Sequence, residues 1–83
     1  MKDFINNSSD QRFELHENGE TAYATYRIDG KTLFIDYVFA PVPLRGTGAA
    51  GRLMALVVDY ANEKALDITP VCGYAKSWLK RNG

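Results

Sequence analysis

The sequence predicts a small α+β domain, with helices packed on a mixed sheet in the order β-β-β-α-β-α. Three observations carry that expectation. The first half alternates apolar and polar residues in short runs separated by Asn18-Gly19 and Asp29-Gly30, both strong hairpin signals. The second half changes to a helical period after a glycine-rich stretch. The chain has 83 residues, enough for one domain and a thin core.

Residues 1–11 are polar, with Asn6, Asn7, Ser8 and Ser9 in a row, and read as a flexible lead-in to a single domain over residues 12–83. Residues 12–17 alternate as a half-buried strand, with Phe13 and Leu15 on one face and Glu14 and His16 on the other. Residues 20–28, rich in Thr, Tyr and Ile, form the second strand. Residues 31–39 form the third, with Leu33, Ile35, Tyr37 and Phe39 sharing a face, and Phe34, Asp36 and Val38 sharing the other. Pro41 and Pro43 end it, because proline lacks the amide proton a ladder needs. After the glycines, Ala50, Leu53, Val57, Tyr60 and Ala61 recur at helical spacing, which predicts a helix over 49–64. A short strand over 67–71 and a last helix over 74–81, opened by Cys72 or Gly73, complete the order.

Composition narrows the function. Ten basic and ten acidic residues cancel, whereas a nucleic-acid binder of this size is usually strongly basic. No apolar run approaches the ~20 residues of a membrane helix, and the first residues have no hydrophobic core of a secretory signal. One cysteine makes no internal disulfide, and one histidine makes no metal site by itself. These features together predict a cytoplasmic protein without a nucleic-acid or membrane partner.

The glycine-rich stretch 45–51 is the chemically specific part. A helix N-terminus leaves amide protons unpaired and carries partial positive charge. Gly46, Gly48 and Gly51 would let that backbone close around an anion, and Arg45 would add a charge-assisted contact. A phosphate or pyrophosphate is the expected ligand. Residues 46–51 literally match G-x-G-x-x-G, but the dinucleotide fingerprint needs a strand of a parallel βαβ unit entering the first glycine almost directly; here a stretch with two prolines separates Ala40 from Gly46, three hairpin-linked strands precede it, and the chain is too short for a dinucleotide domain. The nucleoside-triphosphate pattern G-x-x-x-x-G-K-[ST] is absent.

The segment VFAPVPLRGTGAAGRLM resembles the acetyl-coenzyme A loop of the GNAT superfamily of N-acetyltransferases, whose pattern is Q/R-x-x-G-x-G/A. The matching residues are Arg45, Gly46, Thr47, Gly48, Ala49 and Ala50, preceded by Val38, Pro41 and Pro43. The segment ITPVCGYAKSWLKRN resembles a branch of short stand-alone acetyltransferase-like proteins with a P-x-C-x-[YF] turn. The resemblance implies a compact GNAT-like sheet that uses acetyl-CoA. It implies a bulged strand splayed from its parallel neighbour, with the backbone of Tyr37, Val38, Phe39 and Ala40 lining the cofactor's pantetheine arm. It implies a small-molecule or protein amine as acceptor.

Two groups are candidates for the chemistry. Cys72, at the start of the last helix, could carry the acetyl group or a proton, since helix N-termini favour thiolates; its ordinary role would be as a small packed hydrophobe. Tyr74 could donate a proton near it, or simply pack on the sheet. Many family members place an acid tyrosine in the last helix, where this chain has Leu79. That departure keeps open a second function, acyl-CoA binding without transfer. Asp36 is a lesser candidate base, His16 reads as a surface residue, and Lys76, Lys80 and Arg81 read as a solvated helix face. An uncovered sheet edge makes a homodimer a further expectation.

Overall fold

The computed structural model describes residues 3–82. Five strands form one sheet in sequence order: β1 (Phe4–Asn7), β2 (Arg12–Glu17), β3 (Glu20–Asp29), β4 (Thr32–Phe39) and β5 (Asp67–Pro70). The first four are antiparallel neighbours, and β5 runs parallel to β4. Helix α1 (Ala49–Glu63) makes the crossover between them, and α2 (Gly73–Asn82) follows β5. The hairpins turn where Asn18-Gly19 and Asp29-Gly30 place them. No described helix is long and apolar enough to cross a membrane.

One strand was not expected. Residues 4–7, read as part of a flexible lead-in over 1–11, pair with β2 from Phe4↔Leu15 to Asn7↔Arg12. The asparagines that made the segment look unstructured are its anchors. Asn6 Oδ1 accepts from the Tyr26 hydroxyl at 2.7 Å, and Asn6 Nδ2 donates to the Tyr60 hydroxyl at 3.3 Å. Asn7 Nδ2 donates to Glu14 at 3.1 Å. The order is therefore β-β-β-β-α-β-α.

The core lies between one face of the sheet and the helices. Phe13 is its centre: its ring stacks on Tyr26 at 4.3 Å and Phe4 at 5.8 Å, and meets the edge of Tyr60 at 5.1 Å. Leu15, Ala22, Ala24, Leu33 and Ile35 extend the sheet side, against Leu53, Met54, Val57 and Ala61 of α1 and Ala75 of α2. Small residues on β3 let α1 lie close to the sheet. Each large side chain enclosed here contributes ~1.5–3 kcal/mol of transfer free energy.

β4 departs from simple alternation. Thr25 pairs with Tyr37 but Tyr26 pairs with Ile35, so Asp36 is an extra residue opposite that step. Such a bulge reverses which face later residues occupy. Val38 and Ala40 therefore pack towards the core with Leu33 and Ile35. Tyr37 is 52% exposed, and Phe39 stacks on Tyr23 on the other face at 5.2 Å. Tyr37 and Phe39 thus do not share the face of Leu33, and Val38 does not share that of Asp36.

The open face mixes polar side chains with Tyr23 and Phe39, and among the described residues Glu14 is its one enclosed charged residue. Arg12 Nε donates to it at 2.6 Å, and His16 Nε2 lies 3.0 Å from its other oxygen. His16 is thereby half-buried in a network that includes the Thr21 hydroxyl at 2.9 Å. The Arg12 hydrogen bond, helped by those from Asn7 and His16, holds the Glu14 carboxyl below the usual glutamate range.

Phe13→Ala should cost ~3–5 kcal/mol in urea unfolding, the scale for emptying an aromatic core site. Glu14 has a lowered folded pKa, so its contribution is present above the ordinary glutamate range and lost as pH falls through the folded value. Glu14→Gln should therefore destabilise at neutral pH by ~2 kcal/mol, the scale of a charged hydrogen bond. The gap between mutant and wild type should close in acid, as read by melting temperature against pH.

Candidate functional site

The site begins where β4 loses a partner. The β4–β5 ladder runs from Thr32↔Asp67 to Ile35↔Pro70 and stops, although β4 continues to Phe39. The Ile35 carbonyl takes the last contacts, from Val71 N at 2.9 Å and Cys72 N at 3.4 Å. Residues 36–39 have β3 on one side and no strand on the other. The bulge at Asp36 turns β4 away, and Pro70 ends the partner strand, so a gap opens between the two.

The loop from β4 to α1 closes one end of that gap. A single 3-10 turn, Val42–Leu44, is pinned by Leu44, which is fully enclosed. The Leu44 carbonyl accepts from the Thr47 N–H at 3.2 Å and the Thr47 hydroxyl at 2.6 Å. Gly46 and Gly48 have φ of +81° and +86°, the left-handed region that side chains resist. The first helical bond runs from Arg52 N–H to the Gly48 carbonyl at 3.0 Å, so the amides of Ala49, Ala50 and Gly51 have no carbonyl to reach. No side chain caps them.

These amides border an open cleft of about 360 Å³, lined by Ala40, Leu44, Arg45, Gly46, Gly48, Ala49, Ala50, Gly51 and Tyr74. Arg45 is exposed; its Nε donates to the Ala40 carbonyl at 2.9 Å and its guanidinium lies 5.8 Å from the Phe39 ring centre. It has no carboxylate partner among the described residues. Gly51 faces α2 rather than an anion: a Cβ there would lie 3.4 Å from Trp78 Nε1 and 3.9 Å from the Tyr74 hydroxyl.

Of the residues singled out by sequence, Ala40, Arg45, Gly46, Gly48, Ala49, Ala50 and Tyr74 meet on this cleft. Thr47 turns its side chain into the loop. Tyr37, Val38 and Phe39 lie along the unpaired stretch of β4, Val38 inward and the two rings outward. Cys72 does not line the cleft. It stands at the head of the gap, half-buried against the core, with its Sγ accepting the Ala75 N–H at 3.4 Å. Asp36, considered as a base, is instead held by Arg27 through two bonds of 2.8 and 2.9 Å, which keep its carboxyl below the usual range. Leu79 is a packed side chain at the edge of the core.

Two residues escaped the sequence reading. Arg52, on the first full turn of α1, donates its Nη1 to the Thr47 carbonyl at 2.8 Å. Its Nε and Nη2 grip both carboxylate oxygens of Glu17 at 2.9 and 2.6 Å. Glu17 ends β2, just before the Asn18-Gly19 turn. Nothing in the sequence links a strand-end glutamate to an arginine 35 positions away.

A family profile described as GCN5-related N-acetyl-transferase matches residues 12–83. Among solved structures, the chain is similar to the NMR solution structure of a GCN5-like protein from Staphylococcus aureus. The two share 30% identity over 86% of this chain and 72% of that one, with a TM-score of 0.63. No curated protein matches the sequence.

Gly48→Ala tests the loop geometry. The new Cβ would meet a left-handed backbone and stand 3.2 Å from Arg52 Nη1. It should lower stability by ~1–2 kcal/mol. Gly51→Ala, whose Cβ would find ordinary contact distances, should be near neutral. Parallel urea titrations read the contrast.

Proposed function

The chain belongs to the GCN5-related N-acetyltransferase family, and we propose that it moves an acetyl group from acetyl-CoA to the amine of a small molecule or protein in the cytoplasm. The observation that carries this reading is the conjunction of two features. An uncapped helix N-terminus, with an arginine that has no carboxylate partner among the described residues, lies beside a strand that has lost its neighbour. The first suits a pyrophosphate; the second suits an extended, amide-bearing chain that completes a ladder. Coenzyme A carries both.

In this reading the amides of Gly48, Ala49 and Ala50 and the Arg45 guanidinium hold the pyrophosphate. The unpaired backbone from Tyr37 to Ala40 aligns the pantetheine arm, and a backbone amide of that stretch meets the oxygen that gains negative charge during transfer. The bound acetyl-CoA supplies an activated thioester. An amine with an ordinary pKa of about 10.4 must lose a proton before attack. Asp36 is a poor base, committed to Arg27 on the sheet's open face. Cys72 and Tyr74 remain, flanking the start of α2. The Cys72 sulfur already accepts a helix N-terminal amide, a contact that strengthens with negative charge on sulfur. It either relays the acetyl group or serves as acid and base, and Tyr74 supplies a proton.

A second reading is a non-catalytic acyl-CoA-binding domain. Leu79 favours it, since it is a packed side chain at the position where the family resemblance places an acid tyrosine in many members.

Calorimetry with acetyl-CoA and a thiol-release assay with an amine panel separate the two. Arg45→Ala should weaken binding about tenfold, the scale of one charge-assisted phosphate contact, without lowering the melting temperature. Cys72→Ala should bind normally and release no thiol. Full turnover by Cys72→Ala would remove the sulfur from the mechanism. Binding without turnover in the wild type would establish the second reading.

A further inference from the structure

We propose that the Glu17–Arg52 pair is a clamp that sets the orientation of the Thr47–Gly48 peptide and thereby makes the loop selective for a pyrophosphate-bearing acyl carrier. This rests on the coenzyme A reading above and names the positioning residues of that site.

In a trans peptide the carbonyl of Thr47 and the N–H of Gly48 point in opposite directions. Gly48 tolerates φ of either sign, so this plane can rotate at little cost unless something holds it. Arg52 Nη1 takes the Thr47 carbonyl at 2.8 Å, and Nη2 lies 3.5 Å from the Thr47 hydroxyl. The Gly48 N–H, on the opposite side of the plane, has no backbone partner among the described residues and lies beside the cleft. Rotation would exchange the two, placing a carbonyl oxygen where an anion is expected. The loop would then repel what it should bind.

Arg52 alone would be a poor latch, because a free arginine beside a phosphate site has a reason to leave. Glu17 removes that reason. It holds Nε and Nη2 in a bidentate pair and takes up the charge, while the third nitrogen of the same rigid fork stays on the carbonyl. The absence of a Cβ on Gly48 makes room for it, since that atom would stand 3.2 Å from Nη1. The two arginines of the loop therefore divide the work. Arg45 donates only its Nε, to the Ala40 carbonyl, and has no carboxylate partner among the described residues, which leaves its other nitrogens for the ligand; Arg52 is engaged through Nε, Nη1 and Nη2 together.

Lysine cannot replace this fork, because one ammonium does not span Glu17 and the Thr47 carbonyl in a fixed plane. The test uses Glu17→Ala, Arg52→Ala and Arg52→Lys in the full chain. Each should raise the KM for acetyl-CoA about tenfold with kcat little changed, as a lost binding orientation does. None should alter kcat/KM for acetyl-pantetheine, which lacks the pyrophosphate; a merely structural role would depress both donors. In the free protein, amide exchange at Thr47 and Gly48 should accelerate in all three variants, a readout needing no ligand. Tighter acetyl-CoA binding by Glu17→Ala would overturn the proposal, because it would mean that the released Arg52 is a phosphate ligand. Unchanged KM and unchanged exchange would also overturn it. A wild-type protein that binds no acetyl-CoA would remove the coenzyme A reading and this selectivity with it, whereas normal wild-type binding with indifferent variants would remove the clamp alone.

Discussion

β4 is paired on both sides as far as Ile35 and on one side only beyond it. A sheet ordinarily resists this, because unpaired amides and carbonyls in a strand are costly when enclosed. Here the cost is met by position. The unpaired stretch faces a gap open to solvent, between the end of β5 and the start of α1. The chain reaches that arrangement with one inserted residue, Asp36, and one proline, Pro70. The Asp36 side chain is in turn secured by Arg27, whose guanidinium also lies 4.7 Å over the Phe34 ring. The bulge is thus tied down from the solvent side and is not a place where the strand merely slackens.

The same insertion connects the core to the site. Because parity changes at Asp36, Val38 and Ala40 continue the apolar face begun by Leu33 and Ile35, while Phe39 joins Tyr23 outside. The strand can then lead directly into the buried Leu44, which fixes the loop, and the loop into an α1 seated on Ala22, Ala24 and Phe13. A displaced α1 would carry its free amides away from Arg45. The enclosed aromatic cluster around Phe13 is therefore what aims the helix N-terminus, although none of its rings lies near the cleft.

Much of this was legible locally. Asn18-Gly19 and Asp29-Gly30 demand tight turns wherever they occur between alternating runs, and the stripe from Ala50 to Ala61 fits only a helix. The free amides at the start of α1 could be read from the glycine loop because their physics is confined to one helix turn. The bulge was not legible, since register is a property of two strands together and Asp36 looks like any outward residue. β1 was missed for a related reason: four residues with two asparagines show no period, and their anchors, Tyr26, Tyr60 and Glu14, come from elsewhere in the chain. Cys72 was placed correctly at a helix start, but which side of the gap its sulfur faces depends on how α2 docks on Gly51.

The central claim is that the unpaired edge of β4 and the uncapped start of α1 act together as one cradle. Amide chemical-shift mapping with coenzyme A tests it most directly. The largest changes should fall in two separated stretches, Tyr37 to Ala40 and Gly46 to Ala50, saturating with a single dissociation constant. Changes confined to one stretch, two different constants, or shifts centred on the open face around Glu14 would contradict it.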